Sequence, residues 1–278
     1  MGNDRIHRAV SDDGTKIAGH VHGHGPPLVL VHGVLDDSDL DWGPVVPFLA
    51  DRFTCYLPST RGRGLSDDSD DHDRERLVQD VTAFVDSIGE PVFLVGHSLG
   101  GQLALGAAAR SAAVTAVAAY EPALVPLLTE QEGARFQDAV ARIGQAIGEG
   151  DLIEAERIFV NLVSNDEEVA ALAESGHVEA AARYAPIMFE DIRQGARSQA
   201  PNSGDPSVLA QITGPVLLVQ GSRTVLRWFV DCVRHVARHV SDAQVREIAG
   251  AGHTGPTLHP EPVADELARF FEAVRHRG

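Results

Sequence analysis

Apolar positions along this chain fall into two alternating kinds of segment. PPLVLVHG (26–33) is a short apolar run closed by glycine, the pattern of a strand buried on both faces, and FTCYLP (53–58), PVFLVG (91–96) and VTAVAAY (114–120) repeat it. Between them lie helical patterns. Trp42–Leu49 predicts a short helix, and Gly100–Arg110 predicts another. From Asp73 to Ile88 the residues Leu77, Val81, Phe84, Val85 and Ile88 recur at helical spacing, and Gly89 is placed to stop that helix.

The alternation implies a mostly parallel sheet with helices on both faces. It breaks between about Ala123 and Pro206, where only helical segments rich in Ala, Glu and Arg occur. Sheet-type sequence resumes with GPVLLVQG, a helix around Trp228–Val240, the strand QVREIA and an amphipathic helix over Pro262–Val274. An unstructured stretch of that length would be anomalous. The expected organisation is therefore an α/β core over 1–122 and 207–278, with a helical cap inserted over 123–206 and hinged near PNSGDP (201–206).

Composition narrows the partners. The chain has 278 residues, 44% of them hydrophobic, with a net charge of −17. Nucleic acid and anionic membrane need clustered Lys and Arg, so both are excluded as expected partners. No apolar run approaches the roughly 20 residues that span a bilayer. MGNDRIHRAVSDDG lacks the apolar centre of a signal peptide, and Ile6 stands where myristoylation wants Ser or Thr, so a cytoplasmic location is expected. Cys55 and Cys232 sit in apolar settings and are read as reduced buried thiols. Aromatic residues make up 5% and give no sign of a sugar- or base-stacking site, and oligomeric state is left open.

The chemistry-bearing motif is Gly96-His97-Ser98-Leu99-Gly100, between an apolar strand and an Ala-rich helix. A serine on a sharp strand-to-helix turn needs strained backbone angles, and side chains two positions either side would collide. The turn would lift the Ser98 hydroxyl above the sheet and set the Leu99 N–H beside it, where developing negative charge is favoured. The competing reading is a Gly-rich connection without chemical consequence.

With GHSLGG as a nucleophile elbow, LVLVHGVLDD as a strand–HG loop, STRGRGLSD as an R-G-x-G-x-S segment and GAGHTGP as a base-bearing loop, the chain resembles the α/β-hydrolase superfamily, in its serine hydrolase branch with a helical cap. The four motifs occur in the family's order. The resemblance implies Ser98 as nucleophile and His253 as base. It also implies the backbone N–H groups of Val34 and Leu99 as an oxyanion hole. His32 is expected to orient its loop by hydrogen bonding. The competing base His259 precedes Pro260 and reads as a helix start, while His20, His22 and His24 read as a solvated strand edge rather than a metal site.

The third member departs from the pattern. Where the family carries G-x-x-D after the strand PVLLVQG, this chain reads Gly221-Ser222-Arg223-Thr224, and the next carboxylate is Asp231 in an apolar helical stretch. Three arrangements compete. In the first, Glu121, at the end of the preceding strand in VAAYEP, is the acid, similar to branches of the superfamily such as certain haloalkane dehalogenases. A Ser–His dyad with Thr224 or a carbonyl orienting the imidazole is the second, and a degenerate binding site the third. Glu121 ranks first, because fixing the histidine tautomer matters greatly for rate.

The expected reaction is acyl transfer from a small-molecule ester, lactone or thioester to Ser98, followed by hydrolysis, with no cofactor and no metal. An activated C–C bond remains open, and a non-hydrolytic receptor, cyclase or lyase is the rival from another class. Phe159, Tyr184, Met188 and Phe189 in the insertion are candidates for the pocket lining but are assigned no role, since such residues are more often cap core than ligand contacts; Trp228 and Phe229, after the Thr224 loop, are further candidates for its border.

Overall fold

The computed structural model describes residues 5–276. Eight strands form one sheet: β1 (Arg5–Val10), β2 (Lys16–Gly23), β3 (Pro27–Val31), β4 (Thr54–Pro58), β5 (Val92–His97), β6 (Val114–Tyr120), β7 (Val216–Gly221) and β8 (Ala243–Ile248). Their spatial order is β1-β2-β4-β3-β5-β6-β7-β8. β2 runs antiparallel to both neighbours, and the other pairs are parallel. The α/β-hydrolase fold expected from the sequence is what forms.

Adjacent residues of β3 serve opposite faces. Val29 and Val31 join a core with Phe84, Leu94, Leu103 and residues of the helical segment. Leu28 and Leu30 join another with Trp42, Phe93, Val95 and Phe271. Such two-sided burial explains why these strands read as continuous apolar runs rather than alternating ones.

Two local readings change. Trp42–Leu49 is not one helix but two short turns, Ser38–Trp42 and Val46–Leu49. Pro44 and Pro47 lack the N–H groups that would carry a helix through the interval. The edge hairpin β1–β2 is also poorly announced: the burial of Arg5–Val10 is mostly partial or absent, with only Ala9 buried.

Between β6 and β7 the chain forms helices Glu130–Glu149, Leu152–Val163, Asp166–Glu174, His177–Ala181 and Ala185–Gly195. Their ends are locally encoded. Thr129 with Glu132 and Asn165 with Glu168 form capping boxes, and Gly150 closes the first helix in the left-handed conformation at φ +80°.

Sheet register sets the stage for chemistry. His97 pairs with Tyr120, and Tyr120 with Val219, so the ends of β5, β6 and β7 come out side by side. Residues just beyond these carboxyl ends, Ser98 and Glu121 among them, therefore share one rim.

Candidate active site

Ser98 adopts φ +54° and ψ −115°, a conformation L-residues avoid, between β5 and the helix Leu99–Ala108. Its N–H donates to Tyr120 O at 2.9 Å, and its carbonyl accepts from Ala123 N at 3.0 Å, tying the bend to the end of β6. The flanking glycines are sterically required: a Cβ on Gly96 would lie 2.0 Å from Gly100 O, and one on Gly100 would lie 2.3 Å from Val31 O. Helix and strand approach at backbone distance here.

Ser98 and His253 line the same small cavity, with Gly33, Val34 and His97. His253 Nδ1 lies 2.8 Å from Glu121 Oε2. Glu121 is fully buried and, with φ +43°, is the other non-glycine residue with positive φ among those described. Its second oxygen accepts from Gly221 N at 2.8 Å and from the Thr224 hydroxyl. Thr224, which occupies the position of the missing aspartate, thus donates to Glu121 instead of contacting the histidine. Asp231 pairs at the surface with Arg227 and Arg234.

Because a carboxylate only accepts, His253 Nδ1 carries the hydrogen and Nε2 is left with its lone pair free. Burial pulls the His253 pKa below the usual histidine value; the bond to Glu121 opposes this, and the nearby His97 reinforces it. The imidazole is therefore neutral at neutral pH, as a general base must be. Phe229 stacks on it with ring centroids 3.9 Å apart and planes 15° apart.

The backbone around His253 is held on every side. Glu168 Oε1, on the helix Asp166–Glu174, accepts from Gly252 N at 3.1 Å, Thr254 N at 3.0 Å and the Thr254 hydroxyl at 2.8 Å. Tyr120 donates its hydroxyl to Gly252 O at 2.6 Å. His97 Nε2 lies 2.8 Å from His253 O.

His97 has a second acceptor. Its Nδ1 is 2.9 Å from Asp41 Oδ2, which also accepts from Gly33 N at 2.9 Å. A carboxylate on one side and a carbonyl on the other can both be satisfied only by an imidazolium. Burial works against that charge, but Asp41 outweighs it and raises the His97 pKa above its usual value. Asp41 is itself fully buried. This pair joins the segment after β3 and the end of β5 to the loop carrying His253.

In the loop after β3, His32 Nδ1 donates to Gly33 O at 2.6 Å, and its Nε2 accepts from Thr60 N at 2.9 Å. Its polar atoms are thus engaged in holding the loop. Arg63 Nη2 donates to Val34 O at 2.8 Å while its Nη1 pairs with Asp191 at 2.7 Å. Val34 and Leu99 line a second cavity of about 40 Å³ with Ser98, Phe159, Trp228 and Phe229. Tyr184 instead bonds Asp37 at 2.6 Å, Met188 is fully buried, and Phe189 packs near Gly144.

His20 pairs with Asp39 at 2.7 Å, and His259 precedes the helix Pro260–Arg275. Among the described residues no group of three or more His, Cys, Asp or Glu is arranged to hold a metal, and no helix is long and apolar enough to cross a membrane. Cys55 and Cys232 are buried free thiols, each pushed up to about 12 by burial. The sequence reading missed Asp41, Glu168 and the bridging role of His97. Their partners lie 56, 86 and 156 residues away, and no local pattern reports such pairings.

Known proteins resemble the chain over most of its length. The profile described as "Alpha/beta hydrolase family" matches residues 28–266. The chain is 30% identical over 263 residues to a pimeloyl-acyl-carrier-protein methyl ester esterase of Xanthomonas oryzae pv. oryzae, covering 91% of this chain and 98% of that one. A pyrrolizixenacetamide deacetylase of Xenorhabdus hominickii is 36% identical over 110 residues, which span 38% of this chain and 36% of that protein. Among solved structures, an alpha/beta hydrolase from Sphaerobacter thermophilus is 27% identical, with a TM-score of 0.73 over 95% of this chain and all of that one.

Proposed function

Because this chain belongs to the alpha/beta hydrolase family, we propose that it hydrolyses an ester, lactone or thioester through a covalent acyl-enzyme on Ser98. The observation that carries the reading is the buried contact of 2.8 Å between His253 Nδ1 and Glu121, in a cavity wall that also holds Ser98. That contact leaves Nε2 as the base.

In this reading Ser98 Oγ attacks the carbonyl carbon while His253 Nε2 takes its proton. The tetrahedral oxyanion is held by the N–H groups of Val34 and Leu99, each donor contributing about 3 kcal/mol where such donors have been removed. Imidazolium then protonates the leaving alkoxide or thiolate, and the carbonyl re-forms. Water then attacks the acyl carbon while His253 Nε2 takes its proton, and the imidazolium returns that proton to Ser98 Oγ as the ester bond breaks and the acyl group departs as a carboxylic acid. Glu121 keeps its negative charge throughout, stabilises the imidazolium and fixes the tautomer. The helices over 123–206 would act as a cap that excludes water and shapes the pocket.

A fluorophosphonate probe tests this directly. Stoichiometric labelling that disappears in Ser98→Ala is the expected result, whereas a folded protein that takes no label would favour a non-hydrolytic receptor or lyase. A panel of aryl esters, lactones and thioesters then sorts the leaving-group class.

A further inference from the structure

The apolar cavity beside Ser98 does not end in apolar residues. Arg74, the first residue of the helix Arg74–Ser87, lines it together with Val34, Ser98, Phe136 and Trp228. The same arginine lines a larger outer cavity of about 780 Å³, and Val125, Phe136 and Ile192 are likewise common to both walls. Arg74 thus lies in the wall shared by the outer cavity and the one lined by the proposed nucleophile.

Its guanidinium is poorly satisfied. Nη1 is buried and has no hydrogen-bond partner among the described residues, and Nη2 reaches only Asp191 O at 3.4 Å. The carboxylate of Asp191, which acts on it most strongly, is already engaged by Arg63 at 2.7 Å and by His72 at 2.7 Å. Asp73 adjoins it in sequence but accepts from Glu75 N and Ser198 Oγ. Burial pulls the Arg74 pKa down, which Asp191 and Asp73 only partly offset. The guanidinium is also fitted to its place: a Cβ on Gly195 would lie 2.1 Å from Nη2.

A buried guanidinium nitrogen without an acceptor costs stability, and a bidentate anion is the ligand its geometry matches. The surroundings agree. In a chain of 40 acidic and 23 basic residues, the outer cavity is lined by Arg74, Arg193 and Arg197 against Glu130 as its one carboxylate. Of these, Arg193 is occupied by Glu190.

We propose that Arg74 is an anion anchor, selecting substrates in which an apolar chain separates the scissile carbonyl from a terminal carboxylate. The inference rests on the hydrolase reading and adds a substrate class to it.

The test compares two p-nitrophenyl esters of equal chain length, octanoate and the monoester of suberate. The ratio of kcat/KM, suberate over octanoate, is measured for the unsubstituted enzyme, Arg74→Met and Arg74→Lys. An Arg–carboxylate contact corresponds to a ratio about 10- to 100-fold lower in Arg74→Met, with Arg74→Lys between the two. The expected loss appears mainly in KM, because the contact is made in ground and transition states alike. If Arg74→Met fails to fold, Arg74→Lys decides alone: a drop in the ratio supports the anchor, and an unchanged ratio overturns it. An unsubstituted enzyme with a ratio below one also overturns it, and its Ser98 labelling and octanoate turnover would still leave the hydrolase reading standing. Absence of both labelling and turnover sinks the two together.

Discussion

Oε2 of Glu121 lies 2.8 Å from Nδ1 of His253, while Oε1 of the same carboxylate is claimed by two donors, Gly221 N and the Thr224 hydroxyl. The two oxygens therefore have unequal duties. In Glu121→Gln the amide oxygen must face Gly221 and Thr224, leaving the NH₂ group turned toward His253. That forces Nδ1 to accept and puts the hydrogen on Nε2, the wrong tautomer for a base. We expect kcat to fall about 10³- to 10⁴-fold, as in comparable tautomer defects, with an unaltered circular dichroism spectrum. A loss below about threefold removes Glu121 from catalysis.

The pH profile follows from the burial of His253. Its pKa is depressed, so the neutral base persists below the usual histidine range and activity is lost only as pH falls through that lowered value. A plot of kcat/KM against pH should be flat around neutrality with its acidic limb below about 6.5, the unperturbed histidine value. In Glu121→Gln the residual activity should show this limb at still lower pH, since the carboxylate is what opposes the depression. A limb at or above the ordinary value contradicts the assignment.

Asp41→Asn probes the link from His97 to the base. Asparagine can still accept from Gly33 N, but it no longer balances an imidazolium, so His97 loses a proton and both of its contacts become those of a neutral ring. Breaking a buried charge pair costs about 3–5 kcal/mol, which urea denaturation measures. Because the bond from His97 Nε2 to the carbonyl of His253 is then no longer charge-assisted, kcat should fall while KM changes less. Equal activity in a destabilised but folded variant would confine the pair to a structural role.

How much of this was legible beforehand differs by kind of feature. The elbow was readable because its requirement is local: Gly96 and Gly100 must lack side chains within two residues of Ser98. The parallel strands were readable because two-sided burial leaves long apolar runs. Glu121 stayed ambiguous because its reach to His253 depends on the register that sets Tyr120 beside Val219, which no sequence pattern displays. Asp41 was hidden for the same reason, inside what reads as a polar loop. The Trp42–Leu49 stretch does not form one helix because Pro44 and Pro47 lack the N–H groups that would carry it through.

Glycine substitutions separate steric necessity from mere occurrence. Gly100→Ala would drive a methyl group to 2.3 Å from Val31 O and 2.4 Å from His32 O, both backbone atoms. Insoluble protein, or destabilisation above about 4 kcal/mol, is expected. Gly148→Ala, inside the helix Glu130–Glu149 with nothing within 4 Å, should instead stabilise. The gain is about 0.5–1 kcal/mol by helix propensity, read from the denaturant midpoint.

Glu168→Ala leaves the N–H groups of Gly252 and Thr254 without their acceptor, at about 1–3 kcal/mol for each buried donor. Glu168→Gln, which keeps an oxygen there, should lose much less. Thermal denaturation and kcat measured on both variants check the ranking.

Glu168 carries an implication for engineering. Its helix lies in the helical segment between β6 and β7, which the proposed cap role makes the part to exchange for new specificity, yet its carboxylate is a strut beneath the histidine loop. A chimera that imports another helical segment without an acceptor at this point inherits a slack imidazole, however well the new walls fit their substrate. Grafts that retain the Asn165–Glu168 turn as part of the recipient, and splice on either side of it, avoid that defect.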